Sequence, residues 1–294
     1  MRHLAFKSRI LLAVMIAMMA TPSAMSWQDV SAASPSMAPL NQQALAAANE
    51  AYKQTLKVLV TPEGMIRFDA FTRMSSLQET LESIVDTYAR APEQVTPETR
   101  IALLCNAHNA NMLLLVARAM TDETFQPAND LPGLMSQQQV MVSGRRSTME
   151  KLVKEQLASL GDPRIHAAIS KGTSGSPRLH GQPLDPSKLD QQLDSLSRKW
   201  VNNAELFIVQ QDTLIVPNII RDSIDDFSRN NGEGIIAFVK KYAEDGTPIS
   251  SIRTISNPVQ VTFDVPRWQL LNEPIRRLQG RQGASRNNVG GRGK

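Results

Sequence analysis

Residues 100–120 read RIALLCNAHNANMLLLVARAM and predict the helix around which the fold is built. The stretch is apolar nearly all round, which is typical of a helix that is buried on most sides. Four polar residues interrupt it near its centre: Asn106, His108, Asn109 and Asn111. A buried polar side chain without a partner costs about 1–3 kcal/mol. We therefore interpret these four residues as either a structural hydrogen-bond network or a binding site.

The segments outside this helix predict further helices and a few short strands. Apolar periodicity predicts helices over the following residues: 41–59, 76–90, 148–160, 185–200 and 235–242. Strand-like runs occupy residues 139–142, 206–209 and 214–216. Ser76 and Glu79 have the spacing of a capping box, and residues 130–133 are typical of a turn. The predicted fold class is α+β, a mainly helical single globular domain with a few short strands or hairpins.

The N-terminal residues are typical of a secretory signal peptide. Three basic residues precede an apolar run at positions 10–20, and small residues follow it. This run is too short to cross a bilayer, which takes about 20 residues. Cleavage near residues 24–26 and cleavage near residues 31–33 both fit the pattern. We expect residues 1–26 to be a signal peptide, residues 27–40 to be a linker, and the protein to be periplasmic or secreted.

Positive charge is concentrated at the two ends of the chain. The formal net charge is +4 and the sequence pI about 9.3. Residues 1–26 carry +3 and the tail, residues 275–294, carries +6, which leaves −5 on the part between them. A nucleic-acid-binding domain is expected to carry its basic residues on its body, so this class is disfavoured. The Gly- and Arg-rich tail is predicted to be disordered, either contacting an anionic surface or remaining solvated.

Cys105 is the single cysteine of the sequence and lies inside the predicted central helix. One cysteine excludes an intramolecular disulfide and a cysteine-based metal cluster. A reactive thiol needs a helix N-terminus or a cation beside it to lower its pKa, and neither is evident in the sequence. We therefore expect Cys105 to be a buried, unreactive thiol.

Three short motifs resemble the signatures of one protein family. Residues 102–110, ALLCNAHNA, resemble the Ala-Phe-Trp-Ile-Asn-Ala-Tyr-Asn-Ala signature of the DUF547 domain family. Residues 162–166, DPRIH, with the Ser-rich loop up to Ser176 and Pro177, resemble its second signature, and the pair at residues 226–227 its third. Order and spacing agree over residues 69–242. The resemblance implies a DUF547-like domain, for which we expect residues 41–274, and it lends no settled biochemical activity.

The chain also departs from the pattern of this family. The family often has cysteines where Lys171 and Ser176 stand, and it usually has a Trp-Tyr pair where this chain has Asp222 and Ser223. Chemistry that rests on the family's thiols therefore cannot operate here. The chain is predicted to be a divergent member of the family.

The polar residues of these motifs are the candidate site residues. As binding residues we predict Asn106, His108, Asn109, Arg164, His166, Lys171 and Ser176. His166 is also the candidate catalytic residue. Lys171 lies in a loop that either binds an anion through backbone N–H groups or forms a surface turn.

Other site chemistries lack their expected sequence patterns. Residues 172–176 contain Gly-x-Ser-Gly and not the Gly-x-Ser-x-Gly of a nucleophile elbow. His108, His166 and His180 lack the spacing of metal ligands. No metal and no cofactor is therefore predicted.

Two functional hypotheses from different classes follow. The first is an exported, non-catalytic binding or cell-envelope accessory protein, whose partner is a small molecule, a peptide or an envelope component. The alternative is a hydrolase-like enzyme in which His166 is the general base and Asn106 or Asn109 is an orienting group or a group that stabilises an oxyanion. The absence of an evident nucleophile or metal favours the first. In either case we expect Asn106, Asn109 and His166 to converge in the core and to hydrogen-bond one another.

The leader generates the first testable prediction, which is export with cleavage. We expect mass spectrometry of the protein from fractionated cells to find a mature chain that begins near residue 27 or residue 34 in the exported fraction. Recovery from the cytoplasm with Met1 intact would contradict the prediction.

Overall fold

A computed structural model describes residues 42–228, 234–255 and 259–272. All of them fall in one unit, Pro39–Lys294. The described residues are mainly helical with two small sheets, which confirms the predicted α+β class. The predicted signal peptide, the linker and the tail lie outside the described residues. The described helices include none that is long and apolar enough to cross a membrane.

The helices follow one another along the chain with short connections. In order they are α1 (Gln42–Leu59), α2 (Ala70–Arg73), α3 (Ser75–Ala89), α4 (Pro97–Ala119), α5 (Pro127–Gln137), α6 (Met149–Lys151), α7 (Ile165–Ala168), α8 (Leu189–Val201), α9 (Asn218–Arg221), α10 (Ile224–Ser228) and α11 (Ile235–Tyr242). A π-helical segment, Leu152–Leu157, and a 3₁₀ turn, Ala158–Leu160, continue α6. Two further 3₁₀ segments are Pro186–Lys188, which leads into α8, and Pro248–Arg253.

Helix α4 is the predicted central helix, and it is buried along most of its length. It starts as its sequence predicts, because the Thr96 hydroxyl accepts a hydrogen bond from the Thr99 N–H at 3.3 Å and Pro97 occupies the first helical position. Every residue from 102 to 117 is buried. Burial on all sides explains why the polar residues of α4 must find partners inside the protein.

Helix α3 packs against both α1 and α4. The rings of Tyr52 from α1 and Tyr88 from α3 meet edge to face, with centroids 6.2 Å apart, and the Tyr88 hydroxyl donates to Asn49 at 2.8 Å. A second aromatic cluster joins Trp200 of α8 to Phe207 and to Phe238 of α11. Helices α7 and α8 also contact each other, which places the second sequence motif between α4 and this cluster.

In the described part of the chain, five short strands form two sheets. Strands β1 (Gln139–Val142) and β2 (Arg145–Thr148) make an antiparallel hairpin. Its two-residue turn has positive φ at both Ser143 and Gly144, as a tight hairpin turn requires. In the second sheet β4 (Thr213–Val216) pairs antiparallel with β3 (Ile208–Gln210) and parallel with β5 (Gln260–Phe263).

Two local predictions are wrong. Residues 130–133 form part of α5 and not a turn: Leu131 and Met135 are buried on one face, and the Asp130 carboxylate accepts from the Gln126 N–H at 2.6 Å to support the helix start. The predicted capping box also fails, because α3 begins at Ser75 without a side-chain cap.

The burial of Cys105 generates a prediction about its reactivity. Its side chain is fully buried in α4, and this burial, together with the negative charge of Asp162, raises the thiol pKa. We expect a thiol reagent to label the native protein at least about tenfold more slowly than the chain unfolded in guanidinium chloride. Equal rates in the two states would show that the thiol is accessible in the folded protein.

Candidate functional site

The buried amide of Asn109 connects α4 to the loop that follows α7. Its Nδ2 donates to the carbonyl oxygen of Ala168 at 2.9 Å, and its Oδ1 accepts from the N–H of Ser170 at 2.9 Å. The carbonyl of Ala168 is one of the groups that the end of a helix leaves without an internal partner. Asn109 therefore holds the second motif against the first.

The other two amides of α4 also bond to backbone groups. Asn106 donates to the carbonyl of Leu184 at 3.0 Å and accepts from the N–H of the same residue at 2.8 Å. Asn111 donates to the carbonyl of Ala107 at 2.8 Å, within α4 itself. The expected mutual bonding of Asn106 and Asn109 with His166 is thus not what the structure shows, because backbone groups lie closer to both amides.

His166 is buried and paired with an acid from the third motif. Its Nε2 lies 2.7 Å from Oδ2 of Asp226, and its ring stacks on Phe227 with centroids 5.6 Å apart. Its Nδ1 is buried and has no hydrogen-bond partner among the described residues. With only 2% of the residue exposed, a substrate cannot reach this imidazole without a movement of the surrounding core.

Arg164 lies in a cluster of acidic residues. Its guanidinium forms hydrogen bonds with Asp162, Asp190 and Asp194 at distances between 2.7 and 3.2 Å. The hydrogen bonds to Asp162 are the main cause that raises its pKa. The cluster connects the start of α7 to α8, so Arg164 stabilises the position of the second motif.

A cavity of about 300 Å³ opens beside α4. Residues of α4, α5, α6, the π-helical segment and α9 contribute to its walls, together with loop residues. They are His108, Pro132, Met135, Ser136, Met149, Glu150, Val153, Lys154, Lys171, Ile219, Asp222, Ser223 and Trp268. Its charged groups form two pairs, Lys154 with Glu150 at 2.6 Å and Lys171 with Asp222 at 3.8 Å. The cavity thus combines apolar walls with balanced charge.

His108 contributes a neutral imidazole to this cavity. Its Nδ1 lies 3.3 Å from Oδ1 of Asn109, an oxygen that can only accept, so Nδ1 carries the proton and Nε2 has the free lone pair. Burial lowers the pKa of His108 to about 4, and the positive charge of Lys171 acts in the same direction. His108 therefore offers the cavity a hydrogen-bond acceptor at neutral pH.

Lys171 contributes the second polar group. Its Nζ lies 5.4 Å from the centre of the Trp268 ring, and burial lowers the pKa of the ammonium group. The next residue, Gly172, has φ +70°, and a Cβ there would lie 2.8 Å from the sulfur of Met112. The carbonyl of Gly172 accepts from the N–H of Leu271 at 2.7 Å. The loop is therefore closely packed at the residue that follows Lys171.

Ser176 lies at the far end of this loop and lines an adjoining cavity of about 60 Å³. Its hydroxyl donates to the carbonyl of Thr173 at 2.8 Å and lies 3.4 Å from the hydroxyl of Ser170. It is buried in a turn and is not on a strand-to-helix elbow. The arrangement closes the loop on itself.

A comparison with known families matches the region that carries the first two sequence motifs. A family model described as "Protein of unknown function, DUF547" matches residues 92–201. Residues 92–201 are therefore similar to the DUF547 family. No curated protein and no solved structure matches the chain.

The matched DUF547 segment runs from the approach to α4 to the end of α8. It includes Asn109 with the loop that it holds, and two polar residues of the cavity, His108 and Lys171. Four other residues of the cavity wall lie beyond the matched segment: Ile219, Asp222, Ser223 and Trp268. The cavity beside the DUF547 segment is therefore completed by the C-terminal part of the chain.

Sequence reasoning missed most of the cavity wall. The apolar residues Met135, Met149 and Ile219 look like ordinary core residues in sequence, and no local pattern marks Trp268. Asp222 did carry a signal, because it stands where the DUF547 family usually has part of an aromatic pair. Within the described ranges, no group of three or more His, Cys, Asp or Glu residues could hold a metal ion.

The role of Asn109 generates a stability prediction. Asn109→Ala leaves the carbonyl of Ala168 and the N–H of Ser170 buried without partners, so we expect the free energy of unfolding to fall by about 1–3 kcal/mol. Asn111→Ala is the matched control in the same buried helix. The carbonyl of Ala107 keeps its helical hydrogen bond, so this loss should stay below about 1 kcal/mol. Urea unfolding measures both, and equal losses would contradict the assigned role.

Proposed function

We propose that the protein is an exported, non-catalytic binding protein of the cell envelope, periplasmic or secreted, whose DUF547 domain holds a small, mainly apolar molecule. The observation that carries this proposal is the 300 Å³ cavity beside α4. Ligand cavities in proteins have volumes of roughly 300–1,000 Å³, apolar walls and a few polar groups that orient the ligand. The cavity matches this description at the lower end of the size range.

The composition of the walls indicates the chemistry of the ligand. Met135, Met149, Val153 and Ile219 provide apolar surface, and each Å² of apolar ligand surface that they remove from water contributes about 25 cal/mol. Each of the two ion pairs joins one positive and one negative group, so the charges of the wall cancel. Neither an anionic nor a cationic ligand therefore gains a net electrostatic attraction. An uncharged ligand with one polar group fits best.

Binding without turnover is supported by the positions of the reactive groups. Cys105 is fully buried with a raised thiol pKa, and the hydroxyl of Ser176 is engaged by the backbone of its own turn. His166, the general base of the hydrolase alternative, is buried against Asp226 and does not line the cavity. The side-chain amides of Asn106 and Asn109 form hydrogen bonds with backbone groups. These positions favour a structural role for His166, Asn106 and Asn109 over a catalytic one.

The envelope location in this proposal rests on the leader-like residues 1–26 and on the basic tail, residues 275–294. A tail with a charge of +6 contacts an anionic surface favourably, at about 1 kcal/mol per basic residue close to that surface. The folded part is mildly acidic and does not share this attraction. We propose that the tail keeps the binding domain near the envelope.

Binding of an uncharged fluorescent probe, N-phenyl-1-naphthylamine, tests the proposal. We expect the fluorescence of the probe to rise and to saturate at one molecule per chain, because an apolar cavity removes it from water. Val153→Trp fills the cavity and should weaken binding at least about tenfold.

Val58→Trp is the matched control for this substitution. Val58 is an exposed residue of α1 and does not line the cavity, so its replacement should leave probe binding unchanged. Absence of saturable binding to the parent protein, or equal weakening by the two variants, would refute the assignment of the cavity.

A further inference from the structure

Lys171 stands where the 300 Å³ cavity and the 60 Å³ cavity adjoin, and it lines both. Ile219, Asp222 and Trp268 also line both cavities, and the amine lies 3.8 Å from the Asp222 carboxylate and 5.4 Å from the centre of the Trp268 ring. The side chain of Lys171 is 27% exposed, so the amine is accessible from the cavities although most of the side chain is buried. An amine in this position can reach a small molecule held in either space.

The loop that carries Lys171 is fixed on both sides. Ser170 before it is bonded to Asn109 through its N–H, and its hydroxyl accepts from the N–H of Gly172 at 3.1 Å. Gly172 after it is packed against Met112. A backbone held in this way keeps the amine at one place in the cavity, which reduces the entropy that is lost when a ligand reacts with it.

Two amines of the cavity differ in their ionisation. Burial lowers the pKa of Lys171, and this effect outweighs the carboxylates of Asp222 and Glu150, which act to raise it. In contrast, a hydrogen bond to Glu150 raises the pKa of Lys154. Lys171 is thus the amine that reaches its neutral, nucleophilic form more readily, and Lys154 is an internal reference in the same cavity.

The polar groups around Lys171 favour a carbonyl compound over an anion. An anion would gain no net attraction, because the carboxylates of Glu150 and Asp222 offset the two ammonium groups, and it would also face the lone pair of His108 Nε2. A neutral aldehyde or ketone avoids this repulsion, and its apolar body fits the walls. The lone pair of His108 can accept a hydrogen bond from the hydroxyl group that forms when an amine adds to a carbonyl.

We propose that Lys171 binds small apolar aldehydes or ketones covalently, as a reversible imine, in this cavity. The proposal rests on the function proposed above and names the class of ligand. It makes Lys171 a binding residue whose covalent bond retains the ligand, and it requires no turnover.

The reaction balances without an oxidant or a reductant. The ammonium group of Lys171 gives one proton to the carboxylate of Asp222, and the Nζ lone pair attacks the carbonyl carbon to form a carbon–nitrogen bond. The carbonyl oxygen takes that proton and then a second one from the nitrogen, and it leaves as water while the double bond forms. One ammonium group and one carbonyl group become one protonated imine and one water.

Reductive trapping on the full chain tests this proposal. Butanal is the probe, and sodium cyanoborohydride converts an imine into a stable secondary amine that peptide mass spectrometry locates. At neutral pH we expect Lys171 to be labelled at least about fivefold faster than Lys154, with a rate that saturates as the butanal concentration rises. Labelling that is equal at the two lysines, or that never saturates, would overturn the proposal.

Two variants and the fluorescent probe separate the possible failures. Lys171→Met should abolish the saturable labelling, and Lys57→Met, on the exposed face of α1, should leave it unchanged. N-phenyl-1-naphthylamine should still bind to Lys171→Met, which shows that the cavity is folded. If the probe binds to the parent protein but butanal does not label Lys171, the imine is wrong and the binding function stands. If the probe does not bind to the parent either, both are wrong.

Discussion

The arrangement of the motifs depends on two hydrogen bonds between the side chain of Asn109 and the backbone. Asn109 donates to the carbonyl of Ala168 and accepts from the N–H of Ser170. Helix α7 has only four residues and ends inside the core, where its last carbonyl would otherwise be buried without a partner. The amide from α4 supplies that partner and binds the N–H two residues further on. A short helix can therefore end in the core, and the chain can turn at once into the loop of Lys171.

The same amide connects the structural network to the cavity. Its oxygen accepts from the N–H of Ser170 and from Nδ1 of His108, which leaves the lone pair of the neutral imidazole on Nε2. Burial keeps this imidazole neutral by lowering its pKa. One oxygen thus determines the position of the loop that carries Lys171 and the hydrogen-bonding character of His108. The polar residues of α4 can therefore be a structural network and part of a site at the same time. The network positions the groups of the proposed site.

The sequence predicted those parts of the fold that depend on local patterns. The burial of α4 follows from apolar residues all round the helix, and β1 follows from the strand-like run at residues 139–142. The partners of the buried amides could not be predicted, because backbone groups carry no residue identity: nothing in the sequence distinguishes the carbonyl of Leu184 from any other. The strand β5 and the position of Trp268 also depend on contacts between segments that are distant along the chain.

The energetics of Lys171 support a role beyond packing. An ammonium group that is mostly buried loses hydration, and its ion pair with Asp222 at 3.8 Å returns little of that loss because the carboxylate is itself 44% exposed. An apolar side chain of similar length would fill the same space at a lower cost in folding free energy. Titratable groups whose burial costs folding free energy are common at functional sites, where a shifted pKa serves the chemistry. The wall of the cavity thus contains a charged group whose burial costs folding free energy, and the reactivity of a partly desolvated amine gives its presence a physical reason.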